Sequence, residues 1–185
     1  MLSGTAAPRR RDPGGPRRRP DPRSRAVKRL FPILGALVVD RLLFAFWPEW
    51  TLLRPDLVSL AVVYSALAWS PSLVLPAAWT AGLLVDFSGW GPLGAHSGGL
   101  TLVALVLLVR RDSFYPRSPL IRVVSSLGAV LLVDGLGWAL AEFGGSPPPP
   151  GGWSLISAAL LSAALAPPLF HLWDRLLGTS YEGGD

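Results

Sequence analysis

The chain is 185 residues long, half of them hydrophobic, with a mean hydropathy of +0.42 and only 16% charged residues. Soluble domains carry about a quarter charged residues, so the composition argues against a water-soluble globule, and the absence of cysteine excludes disulfides and thiolate metal sites. Charge is divided along the chain: residues 1–29 hold ten Lys and Arg against Asp12 and Asp21, a net of +8, while residues 30–185 carry a net of −3.

The pI near 10.7 therefore belongs to one tail. Residues 1–29 set arginines among prolines and glycines with almost no apolar surface to bury, which predicts a disordered basic tail. On the cytoplasmic side it would hold the first helix in orientation and meet anionic headgroups. Clustered arginines also suit nucleic-acid phosphates, but no aromatic residue is interleaved with them to stack on bases, so no nucleic-acid partner is expected. No small-residue cleavage site follows the apolar run from Leu30, which argues against a signal peptide.

Six apolar segments follow, at about residues 30–47, 52–69, 73–87, 95–109, 120–141 and 153–177. They predict an all-α integral membrane protein of about six spans arranged as helical hairpins, occupying residues 30–177, with 178–185 as a short cytoplasmic tail. A spanning helix needs about 20 residues, and shorter runs can be re-entrant. The third and fourth segments are the short pair, so four spans plus a re-entrant hairpin is the alternative.

With the N-terminus inside, Arg110, Arg111, Arg117, Arg122 and Arg175 fall on the cytoplasmic side and the outer loops hold only Arg54. That is the positive-inside pattern, with both termini cytoplasmic. Seven of the eight tryptophans, Trp79 being the exception, fall mostly near predicted span ends, as interfacial anchors do. The proline run at 147–150 reads as a stiff outer loop.

The third and fourth segments meet in a glycine and proline turn containing Gly89, Gly91, Pro92 and Gly94. Glycine and proline both interrupt a helix, so the stretch reads as a hairpin with Asp86 at its entrance and His96 at its exit. Asp86 is expected to accept hydrogen bonds from the turn around residues 88–91.

Leu-Val-Val-Asp ending at Asp40 and Leu-Leu-Val-Asp ending at Asp86 and at Asp134 suggest a repeated hairpin, with an aspartate in the outer half of each outgoing helix. Carboxylates in a bilayer need partners. Arg41 follows Asp40 directly, and successive helical residues diverge by about 100°, so Arg41 is expected to reach an aspartate on another helix, with Asp134 the candidate. In the last span Ser154, Ala158, Ser162 and Ala166 recur every fourth position, a small-residue face for internal packing or for a partner helix. Pro167 and Pro168 should kink that helix.

No catalytic or cofactor site is expected. His96, Ser97 and Asp86 are the only residues that could form a hydrolytic triad, and neighbours on one helix point apart while a base must lie about 3 Å from its nucleophile. Two histidines, at 96 and 171 on opposite predicted sides, make no metal centre, and no phosphate-loop pattern is present.

Arg54-Pro55-Asp56-Leu57 entering the second span, then Gly82-Leu-Leu-Val-Asp86-Phe-Ser-Gly89, then Pro92-Leu-Gly94-Ala-His96, together resemble the rod shape-determining protein MreD family of bacteria. The resemblance extends over about residues 30–177; the arginine tail and the proline run lie outside it. It implies a non-enzymatic, multi-pass component of the bacterial inner (cell) membrane that binds the single-span protein MreC. It would act with MreB and with the synthase pair of RodA and its penicillin-binding partner in lateral peptidoglycan synthesis. Matching positions make Pro55, Asp56, Asp86, Gly89, Pro92 and Gly94 the structural or partner candidates, beside Ala158 and Ser162 of the last span. The family is also similar to the six-helix substrate-binding subunits of energy-coupling-factor vitamin transporters. A subunit of that kind is the alternative function, with Asp56, Asp86 and Asp134 lining a cavity.

Overall fold

The computed structural model describes residues 22–46, 54–88, 92–110, 118–144 and 152–178. These form six α-helices and, among the described residues, no strand: α1 Pro22–Phe46, α2 Leu57–Ala68, α3 Pro71–Ser88, α4 Ala95–Arg110, α5 Pro119–Phe143 and α6 Gly152–Leu177. At the start, α1 begins at Pro22, eight residues ahead of the apolar run, so the helix takes in positions 22–29 of the basic segment. Proline is preorganised for a first helical turn, and Arg, Ala and Lys extend a helix that the apolar run has nucleated.

Two helices, Pro119–Phe143 and Trp153–Leu177, are long and apolar enough to cross a membrane, whereas α2 and α4 are apolar but shorter. The hub is α2. It touches each of the other five helices, and every residue from Val58 to Leu67 is buried. Its 12 residues rise about 18 Å, against a hydrocarbon layer of about 30 Å. It ends at Trp69, which is extended and returns its N–H to the Ser65 carbonyl, and α3 starts two residues later.

The other helices turn large apolar side chains outward. Leu34 and Val38 on α1, Leu84 on α3, Leu105 and Val109 on α4, Val124 and Leu131 on α5, and Ile156 and Leu160 on α6 are all exposed. The core is apolar as in any helical bundle, and the outward faces are apolar as well, where a water-facing bundle carries polar side chains. Trp69 and Trp173, expected at span ends, are instead buried in the core, while Trp138 and Trp153 are exposed.

One helix crossing is set by a glycine. A Cβ built on Gly82 would lie 2.3 Å from Ser97 Cα and 2.5 Å from Ser97 N, so α3 and α4 meet backbone to backbone. At Gly99, where α4 meets α5, the same construction gives 3.3 Å to Val133 Cα. Pro32, Pro76, Pro167 and Pro168 all lie inside helices, and α6 continues through its pair to Leu177. At Pro76 the Thr80 hydroxyl donates to the carbonyls of Pro76 and Ala77, using acceptors one turn back.

Candidate functional site

Polar side chains collect at two levels of the bundle. The first is the end that carries the α3–α4 hairpin. There Asp56 is the N-cap of α2, its carboxylate accepting from Ser59 N at 2.9 Å and from the Ser59 hydroxyl. The Asp56 N–H donates in turn to Ser162 Oγ on α6 at 2.9 Å. Ser162 lies ten residues into α6, so α2 begins about 15 Å below the start of α6.

Two residues earlier, Arg54 reaches back to α1. Its guanidinium donates to Asp40 Oδ2 at 2.6 Å and to the Asp40 carbonyl at 3.4 Å. Asp40 is buried, and Arg41 Nε lies 3.7 Å from the same carboxylate. Arg41 also donates to the Ser88 carbonyl at the end of α3, at 3.4 Å. The expected pairing of Arg41 with Asp134 is therefore not formed. Rotation by about 100° separates neighbouring Cβ atoms, but arginine is long enough to curl back, and Arg54 supplies Asp40 with its closer partner from the approach to α2.

Asp86 also caps a helix, and it does so from another one. Standing in the last turn of α3, it accepts from Gly94 N at 3.0 Å, His96 N at 2.9 Å and Ser97 N at 3.1 Å, which are N–H groups at the start of α4. His96 Nδ1 lies 3.0 Å from the same carboxylate. Of the turn expected to donate to Asp86, residues 89–91 lie outside the described residues. The bonds from α4 form because its first-turn N–H groups have no helical acceptor and a buried carboxylate satisfies several together. Gly94 enters α4 at φ +94°, a conformation that only glycine adopts without strain. Pro92 supplies the carbonyl that accepts from Ala95 N at 3.3 Å. Gly89 and the proline run at 147–150 lie outside the described residues.

The aspartates of the suggested repeat differ in depth and in task. Asp40 stands six residues before the end of α1, Asp86 two before the end of α3 and Asp134 nine before the end of α5, about 9, 3 and 13 Å along their helices. Asp40 is ion-paired and Asp86 caps a helix. Asp134 is half-buried and, among the described residues, makes no hydrogen bond or ion pair, although the charges of Asp56 and Arg54 bear on it. The shared tetrad does not correspond to a shared environment.

The small-residue face of α6 is turned into the chain's own core. Ser162 and Ala166 are fully buried, with Ser162 engaged by Asp56, while Ser154 and Ala158 are half-buried. Ser162 and Ala166 thus pack internally, and Pro55 stands half-buried at the entry to the same joint.

The second level was not legible as a unit. Tyr64 on α2 donates its hydroxyl to Asp174 Oδ1 at 3.0 Å, and Arg122 on α5 donates to Asp174 Oδ2 at 3.1 Å. Around them Tyr64, Phe170 and Trp173 pack with ring centroids 5.2–5.9 Å apart, and the Arg122 guanidinium carbon lies 5.8 Å from the centre of the Phe170 ring. One carboxylate thus fastens α2, α5 and α6 together. Phe170, Trp173 and Asp174 recur at helical spacing, which marks a face, but only the fold brings Tyr64 and Arg122 to it.

Compared with models of protein families, with curated proteins and with solved structures, the chain matches none.

Proposed function

We propose that this chain is a non-enzymatic scaffold of the bacterial rod-shape machinery, of the kind the MreD family represents. Six helices cross the cell membrane with both termini cytoplasmic, and the chain binds MreC in support of lateral peptidoglycan synthesis. The hairpin end is then outermost and the Asp174 level innermost. The observation that carries the reading is that both motifs of the resemblance act as caps at one end of the bundle. Asp56 caps α2 and ties it to α6, Asp86 caps α4 from α3, and Arg41 and Arg54 link the two through Asp40 and Ser88. Such bonds build a fixed surface; they leave Asp86 itself buried, so it shapes the hairpin while the side chains turned outward there are Phe87 and Leu93. The apolar outer surface of five helices supports placement in lipid.

A second reading follows from Asp134, whose half-buried carboxylate has no hydrogen-bonded partner among the described residues. In a vitamin-transporter subunit such a group would meet a ligand. One experiment separates the two: affinity purification of the tagged protein from its native membrane in mild detergent, with mass spectrometry of what accompanies it. A single-span coiled-coil protein and wall-synthesis enzymes are the expected companions. Paired ATPases with a transmembrane coupling subunit would replace the scaffold by the transporter.

A further inference from the structure

We infer that the end of the bundle opposite the hairpin is a docking surface for anionic phospholipid, with Arg110 and Arg175 as headgroup ligands and the apolar faces above them as seats for acyl chains. The inference rests on the membrane-spanning part of the reading above and not on MreC.

Successive helices alternate in direction, and the Arg122–Asp174 bond joins the start of α5 to the end of α6. The starts of α1 and α5 and the ends of α4 and α6 therefore share one end. Basic positions gather there: Arg23, Arg25, Lys28 and Arg29 in the first eight residues of α1, Arg110 in the last turn of α4 and Arg175 in the last turn of α6. Among the described residues the acid at this end is Asp174, and it is already held by Arg122 and Tyr64. Arg110 and Arg175 are exposed and, among the described residues, neither is in an ion pair or a hydrogen bond. Among the described residues the opposite end carries Asp40, Asp56, Asp86, Asp134 and Glu142 against Arg41 and Arg54, so there the acids outnumber the cations.

What lies next to these two exposed arginines names the occupant. On α4, exposed Val106 and Val109 precede Arg110, and on α6, exposed Leu172 and Leu176 flank Arg175. A cation at a helix end with an apolar strip running away from it along the helix matches a molecule with an anionic head and a hydrocarbon tail. An anionic headgroup near such cations is held more firmly with each Lys or Arg beside it. A free phosphate would use the cations and leave the strips idle.

The test uses the full chain in nanodiscs of phosphatidylcholine with and without phosphatidylglycerol, reading the thermal midpoint, and native mass spectrometry of the detergent-purified protein, counting retained lipids. Phosphatidylglycerol is expected to raise the midpoint by about 4 °C, less in high salt, and to stay bound in the spectrometer. Arg110→Gln combined with Arg175→Gln should lose most of both effects while melting normally in phosphatidylcholine alone. Should that pair fail to fold, Arg23→Gln with Arg25→Gln reads the α1 side of the same surface, and Glu142→Gln at the other end should behave as wild type. Equal midpoints in the two nanodiscs, undiminished lipid retention in the variants, or the same shift from inorganic phosphate would each overturn the assignment. The protein is isolated throughout, so failure to recover MreC leaves this result standing, and the reverse also holds.

Discussion

The backbone N–H of Asp56 donates to the hydroxyl of Ser162, 106 residues further along the chain, at 2.9 Å. Both ends of that bond are structural necessities: Asp56 caps α2, and Ser162 is fully buried on α6. Ser162→Ala leaves the Asp56 N–H without its acceptor and is expected to cost about 1–3 kcal/mol. Ser162→Leu, overfilling a sealed site, should cost more. Thermal melts of the purified variants in one detergent read the order directly.

The glycines of α4 and its neighbour form a graded series. Gly82→Ala drives a Cβ to 2.3 Å from Ser97 Cα, with backbone on the other side that cannot yield, and Gly99→Ala presses at 3.3 Å on Val133. Gly98→Ala meets nothing within 4 Å. Losses of about 3 kcal/mol, about 1 kcal/mol and near zero are expected in that order, read as midpoints or as yield of folded protein. Equal tolerance at Gly82 and Gly98 would contradict the close crossing.

Double-mutant cycles distinguish the observed ion pair from the one the sequence suggested. Asp40 and Arg54, 2.6 Å apart with Asp40 buried, should couple by about 1–3 kcal/mol, so that Arg54→Leu is partly rescued by Asp40→Leu. Arg41→Leu and Asp134→Leu should add independently, within about 0.5 kcal/mol.

Arg122 and Asp174 offer the same test at the other level. The pair is 3.1 Å apart with side chains 11% and 19% exposed. Arg122→Gln and Asp174→Asn should couple by about 1–2 kcal/mol. Tyr64→Phe removes one hydrogen bond of about 1 kcal/mol and keeps the ring stacking, whereas Tyr64→Ala also opens the aromatic cluster and should cost about 3–5 kcal/mol. Thermal melts in detergent serve for the single variants and for the Arg122→Gln, Asp174→Asn double variant.

Helix positions were legible because the apolar runs and their proline and glycine breaks are local properties. The 82–98 hairpin is the clearest case: Asp86 before the turn and Gly94 after it act within one short segment. For Arg54 the position was legible and the partner was not: it sits in the short connection before α2, and its bond to Asp40 on α1 is a contact between helices. The same limit hid Asp174, whose partners are 110 and 52 residues away. Helical spacing says which residues share a face and is silent on which faces meet. The start of α1 was not legible in the apolar run alone, because Arg, Ala and Lys lengthen a helix once it has started.

The short, fully enclosed α2 also bears on how the protein is made. Its 12 residues cannot span a bilayer unaided, and both the acceptor for its capping residue and the carboxylate that receives Tyr64 belong to α6. Synthesis delivers α2 second and α6 sixth, so under the membrane placement proposed above the early helices would wait beside the insertion machinery, half-sheathed, until the final hairpin arrives. A ribosome stalled before residue 152 should therefore leave an intermediate that proteases recognise, as expected if the bundle closes late and not by stepwise addition of finished helices.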